Sequence, residues 1–115
     1  MNKQTISYAD LDTPVVLLDL EKLMSNIREM TELAREAKVK FRPHTKVHQS
    51  ADTAKMQIAA GACGVEVGNV PQAEAMVKQD IQDILIAHPF VGYLKFERLK
   101  GLLSKPEVIS LWLLI

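Results

Sequence analysis

Phe41-Arg42-Pro43-His44-Thr45-Lys46-Val47-His48 places four basic or titratable residues at alternate positions. It lies between two helix-like segments and has the length of one strand. Successive side chains of a strand point to opposite faces. Arg42, His44, Lys46 and His48 are therefore expected on one face, and Phe41, Pro43, Thr45 and Val47 on the other. A strand between two helices belongs to a parallel sheet, covered on both faces and nearly all apolar. Four basic or titratable groups on one side break that rule, and leaving such groups buried without partners costs on the order of several kcal/mol each. Functional sites are where local folding rules are broken. The plainer reading is an edge strand with a solvated basic face. Pro43 allows it, because proline donates nothing to a ladder. The order of elements around the stretch separates the two.

Upstream, Thr13 to Leu18 (Thr-Pro-Val-Val-Leu-Leu) has the composition of a buried strand. Asp19 follows as a helix N-cap. Leu20, Leu23, Ile27, Met30, Ala34 and Ala37 then recur every three or four residues, one apolar stripe of a helix over Leu20–Lys38. Downstream of the basic stretch, Ser50 is a second N-cap, with Asp52 in the first turn. Ala51, Ala54 and Ile58 give that helix its packed side, and Gly61 suits its end. Ala62 to Val67 reads as a short strand. Asn69 with Gln72 resembles a capping box, and Pro71 falls in a first turn, where it is tolerated. This third helix runs to about Lys78. Ile81 to Ala87 is the next strand, stopped by His88-Pro89, and Tyr93, Phe96, Leu99, Leu102 and Leu103 mark a fourth helix. Val108 to Ile115 opens a fifth strand.

The order is β-α-β-α-β-α-β-α-β with short connections. It implies right-handed crossovers and a parallel sheet with helices outside it. An open doubly wound sheet and part of a (β/α)₈ barrel both fit. An intact barrel takes about 250 residues, and the chain has 115. No Gly-x-Gly-x-x-Gly follows the first strand, which argues against a dinucleotide fold. The apolar last strand carries no following helix, and an uncovered apolar edge is an aggregation hazard. The chain is therefore expected to be part of a longer protein, or to need partners there.

Composition narrows the function classes. Acidic and basic residues number 14 each, so no bulk field favours nucleic acid or a membrane surface. The N-terminal Met1–Asp10 lacks the apolar core of a secretory signal. No apolar run approaches the roughly 20 residues of a spanning helix. The lone cysteine, Cys63, excludes an internal disulfide framework, which fits a cytoplasmic location.

A lysine at the C-terminal end of a parallel strand sits where α/β folds place active sites. Lysine amines form Schiff bases with carbonyl compounds, pyridoxal phosphate among them. Nearby cations favour the unprotonated, attacking amine, and Arg42, His44 and His48 would be such neighbours. Each histidine is a candidate acid or base near neutral pH. On a strand His44 and His48 stand about 13 Å apart, too far to share one metal ion unless the strand ends between them. Glu66 could face either the site or solvent. His88 ends another strand and could line the same mouth, although a plain turn residue is its simpler reading. Cys63 reads as a small buried hydrophobe, and Trp112 as core.

Arg42-Pro43-His44-Thr45-Lys46-Val47-His48 resembles the pyridoxal-phosphate lysine motif of the D-threonine aldolase and D-serine dehydratase family, Arg-Pro-His-x-Lys-Thr-His. Asp12-Thr13-Pro14 leading into Leu17-Leu18-Asp19 looks like that family's opening strand. Ala60-Gly61-Ala62 with Gly64, then Ala73-Glu74-Ala75, is similar to its next unit, and Ile84-Leu85-Ile86-Ala87 with Val91-Gly92 to the unit after. Val47 departs from the usual threonine, and Gln49 stands where lysine is common.

The resemblance implies one partial alanine racemase-like barrel domain over residues 1–115, with the family's C-terminal β domain absent. It implies a lyase of D-β-hydroxy-α-amino acids, with Lys46 as Schiff-base lysine and catalytic residue together with His44. Arg42 and His48 are then cofactor-binding neighbours. D-threonine would give glycine and acetaldehyde, and D-serine dehydration is the alternative. A non-catalytic cofactor-binding protein is a further alternative, disfavoured by the flanking histidines. The family's divalent metal takes ligands outside this chain, so no metal ligand is expected here. A homodimer is open for the full-length form, and this chain alone is expected to be incomplete or inactive.

Overall fold

A computed structural model describes residues 7–104 and 110–113, the last four by backbone alone. The order is a 3₁₀ turn at Tyr8–Asp10, then α1 (Leu20–Glu36), α2 (Ala51–Ala59), β1 (Val65–Val67), α3 (Val70–Val77), β2 (Asp83–Ile86), α4 (Tyr93–Leu103) and β3 (Ser110–Leu113). The three strands form one parallel sheet in the order β1-β2-β3. Of the expected last strand, Ser110–Leu113 is seen, while residues 108, 109, 114 and 115 and the placement of the Trp112 side chain lie outside what is described.

Caps start the helices where the sequence places them. Asp19 accepts from the Lys22 N–H, Ser50 from the Thr53 N–H and Asn69 from the Gln72 N–H. Each side chain satisfies a first-turn donor that has no partner inside its helix. Along β1 and β2 burial alternates with the pleat. Val65, Val67, Ile84 and Ile86 are wholly buried on one face. There they meet Ala54 of α2, Val70, Ala73 and Met76 of α3, and Leu99 and Leu102 of α4. An Arg98–Glu74 fork ties α4 to α3, with Nε donating to Oε1 at 2.7 Å.

Two expected strands differ. Thr13–Leu18 is not a strand. No ladder partner takes its backbone among the described residues, and Val16 is 95% exposed. A parallel strand exists only through a neighbour that accepts its hydrogen bonds, and composition alone does not supply one.

The basic stretch is a strand only in its first half. The Cys63 N–H donates to the Phe41 carbonyl, the Glu66 N–H to Pro43 and the Thr45 N–H to Glu66. His44 thereby bridges Glu66 in parallel. At Thr45 the chain turns, and the Gln49 N–H closes the turn on the Thr45 carbonyl at 2.7 Å. Gln49 takes φ 47° there. Arg42 and His44 thus share a face, but Lys46 and His48 have left the strand. Val47, expected on the covered face, is 87% exposed, whereas Thr45 is buried.

The pairing is also offset by one residue. Phe41 meets Cys63 while Pro43 meets Glu66, so three steps on one strand oppose two on the other. Gly64, at φ 149°, absorbs the extra residue as glycine does in bulges.

Candidate functional site

The sheet face opposite the core carries the polar residues, in rows set by strand register. Gly64 lies level with Asp83 because Val65 pairs with Ile84, and Glu66 lies level with Leu85. Arg42 spans the first row. Its Nη1 lies 2.9 Å from the Asp83 carboxylate and donates to the Asp83 and Val65 carbonyls. A Cβ on Gly64 would collide with that guanidinium and stand 2.5 Å from the Asp83 carbonyl. Arg42 is thus taken up at the start of β2, where it staples three segments together.

His44 and Glu66 form the second row. His44 Nδ1 accepts the Lys46 backbone N–H at 3.2 Å, so the neutral ring carries its proton on Nε2. Nε2 lies 3.8 Å from Glu66 Oε1. Burial holds the His44 pKa below the ordinary histidine value. The Glu66 charge opposes that shift, and Lys46 and His88 add to it. The His88 ring centroid is 6.1 Å from that of His44.

The third row is the C-terminal mouth of the sheet. A Cβ on Gly68 would touch Gln72 Oε1 at 3.3 Å, and His44 Cε1 and His88 Nδ1 at 3.8 Å each. Glycine therefore leaves this corner open between the two rings. Beside it the 45–48 turn presents the exposed Lys46 side chain. The turn is pinned by Thr45, whose N–H and hydroxyl both donate to the Glu66 carbonyl, and by Gln49, whose amide donates to the Lys46 carbonyl at 3.4 Å. His48 stands apart. Its Nδ1 accepts the Ser50 N–H at the start of α2, and burial lowers its pKa while the Gln57 side chain opposes the shift.

The structure therefore brings His44 to the backbone of Lys46, and sets Glu66 and His88 beside His44. Arg42 goes to the opposite end of the sheet, and His48 to the base of α2. Glu66 faces the site, which the sequence leaves undecided. His88 joins His44 at the mouth rather than being a plain turn residue. Its signal in the sequence is its position directly after an apolar strand. Among the described residues, no group of three or more His, Cys, Asp or Glu is placed to hold a metal ion. No helix among them is long and apolar enough to cross a membrane.

Comparison with known proteins gives this geometry a setting. No protein-family model matches the chain. The D-threonine aldolase of Arthrobacter sp. is 38% identical over 102 residues, which cover 89% of this chain and 27% of that protein. The 3-hydroxy-D-aspartate aldolase of Paracoccus denitrificans is 35% identical over 95 residues, 82% of this chain and 24% of that one. The crystal structure of D-threonine aldolase from Filomicrobium marinum matches with a TM-score of 0.86 at 35% identity, over 94% of this chain and 28% of that one. The chain belongs to the family of these D-amino-acid aldolases and dehydratases. The D-threo-3-hydroxyaspartate dehydratase from Delftia sp. HT23 shares the fold at a TM-score of 0.71 and 34% identity, over 82% of this chain and 24% of that one. The chain spans 24% to 27% of the length of the aldolases it matches. Its parallel α/β architecture is that of an incomplete (β/α)₈ barrel within this family.

Proposed function

We propose that this chain supplies the cofactor lysine of a pyridoxal-phosphate-dependent lyase acting on D-β-hydroxy-α-amino acids, of the D-threonine aldolase type. The observation that carries the reading is the placement of Lys46. It stands at the tip of a pinned turn just beyond the C-terminal end of a parallel sheet, beside His44. This is the end at which barrel enzymes assemble their sites. The relatives' names support the substrate class, since threonine and 3-hydroxyaspartate are both β-hydroxy-α-amino acids in the D series. D-threonine would yield glycine and acetaldehyde.

The residues present fit the aldehyde end of the cofactor. Lys46 offers an exposed primary amine, and among the described residues no ion pair engages it. Gly68 keeps the adjacent corner free of side chain. Lys46 would hold the group through its amine, with His44 and His88 lining the same mouth. Pyridoxal phosphate, when bound, withdraws electrons from the substrate's α-carbon. His44 fixes the Lys46 backbone through Nδ1 and turns its Nε2 proton towards Glu66. Arg42 and His48 support this from either side, Arg42 through the sheet and His48 through the start of α2. The described residues do not fit a metal centre on their own. One solved relative is a mutant dehydratase in a metal-free form, which supports metal use in that protein. Dehydration is the second reading, favoured by the Delftia dehydratase among the relatives.

The substrate class is tested by protection. The chain is equilibrated with pyridoxal phosphate and reduced with borohydride in the presence of D-threonine, L-threonine or neither. D-threonine is expected to protect Lys46 from labelling, and L-threonine not to. Equal labelling with both isomers would overturn the D-amino-acid assignment.

A further inference from the structure

Glu66 has no role in the site as described so far. It sits mid-strand in β1 between two wholly buried valines, and its side chain is largely covered at 27% exposure. A carboxylate on that face needs a partner, because an isolated buried charge is costly. His44 is the partner within reach. Its Nδ1 is occupied by the Lys46 N–H, so the ring's remaining proton must be on Nε2. Among the described residues Nε2 is buried and without a hydrogen-bond partner, 3.8 Å from Glu66 Oε1. A shift of about 0.6–1 Å, within reach of a glutamate side-chain rotation, brings that contact to hydrogen-bond distance. The alternative tautomer would place N–H against N–H at Lys46 and break the turn's contact to His44.

We propose that Glu66 is a positioning residue: its carboxylate holds His44 as the Nε2–H tautomer, leaving Nδ1 to accept the Lys46 N–H and fix the lysine turn. The relay runs from a strand carboxylate, through an imidazole, to the backbone of the lysine. It leaves the lysine amine itself unengaged. The inference rests on the Lys46 reading for its functional meaning, but its geometry stands without the cofactor.

The test is two-bond ¹H–¹⁵N correlation of the histidine rings of the full chain, with hydrogen exchange of the Lys46 amide. Wild type is expected to show His44 with the proton on Nε2. Glu66→Leu removes charge and acceptor. It should populate the Nδ1–H form and speed exchange at Lys46 by about tenfold, the weight of one net hydrogen bond, with Thr45 and Gln49 amides little changed. Glu66→Gln keeps an acceptor, so it should preserve the tautomer while lowering the His44 pKa through loss of the Glu66 charge. An unchanged tautomer and Lys46 exchange in Glu66→Leu would overturn the proposal. So would uniform acceleration of all amides, or an unchanged His44 titration in Glu66→Gln. Trapping at Lys46 is measured separately. A relay that behaves as expected with no trapping at Lys46 would leave the positioning intact and remove the cofactor reading.

Discussion

Gly64 shows how much one residue carries. It has a backbone angle that side chains rarely adopt, and it lies against the Arg42 guanidinium and the Asp83 carbonyl. Gly64→Ala must displace backbone as well as side chain, and should cost on the order of 3 kcal/mol, from strain and overpacking together. Urea unfolding would read this as a lower midpoint. The two histidines give a second prediction. Burial depresses the pKa of both His44 and His48. A depressed histidine pKa means that the unfolded chain binds protons first as pH falls. Stability is then full above the unfolded value of about 6.5 and declines below it, towards the lowered folded values. Melting temperature should drop between pH 7.5 and 5.5, and His48→Asn should flatten that dependence. Of these residues, the sequence shows that Arg42, His44 and Lys46 are anomalous for a buried strand. It does not show that Arg42 belongs to Asp83 and His44 to Glu66. Those pairings follow from inter-strand register, including the extra residue at Gly64, and register depends on contacts between distant segments.

Helices are the elements written most plainly in this chain. Their caps Asp19, Ser50 and Asn69 are local, and each accepts from a backbone N–H three residues on. Asn69→Ala should therefore cost about 1 kcal/mol, seen as a lower melting temperature. Breaking the Arg98–Glu74 fork, which is partly exposed, should change stability by about 1 kcal/mol or less. Strands are less legible because they exist only in pairs. Thr13–Leu18 has strand composition without a ladder among the described residues. The 41–48 stretch pairs with β1 only as far as Thr45. What ends that strand is the Gln49 turn, and a glutamine at positive φ has no sequence signature comparable to glycine's. In the proposed function that end matters, because it turns Lys46 out of the sheet beside His44.

At the scale of the whole molecule, alternating strands and helices gave away the parallel α/β architecture before any contact was known. The core confirms why. Four wholly buried strand residues, Val65, Val67, Ile84 and Ile86, meet α2, α3 and α4 on one face, while Arg42, His44, Glu66 and Asp83 share the other with Leu85. Ile84→Ala should lose about 3 kcal/mol by leaving a cavity at the centre of that core, a loss that a denaturant titration measures directly. In the proposed function this face and its turn present Lys46 to a carbonyl cofactor. Borohydride reduction of the chain with pyridoxal phosphate, followed by peptide mapping, tests it most directly. Label is expected to concentrate on Lys46 and to be lost in Lys46→Ala. Label spread over many lysines, or unchanged in Lys46→Ala, would contradict it.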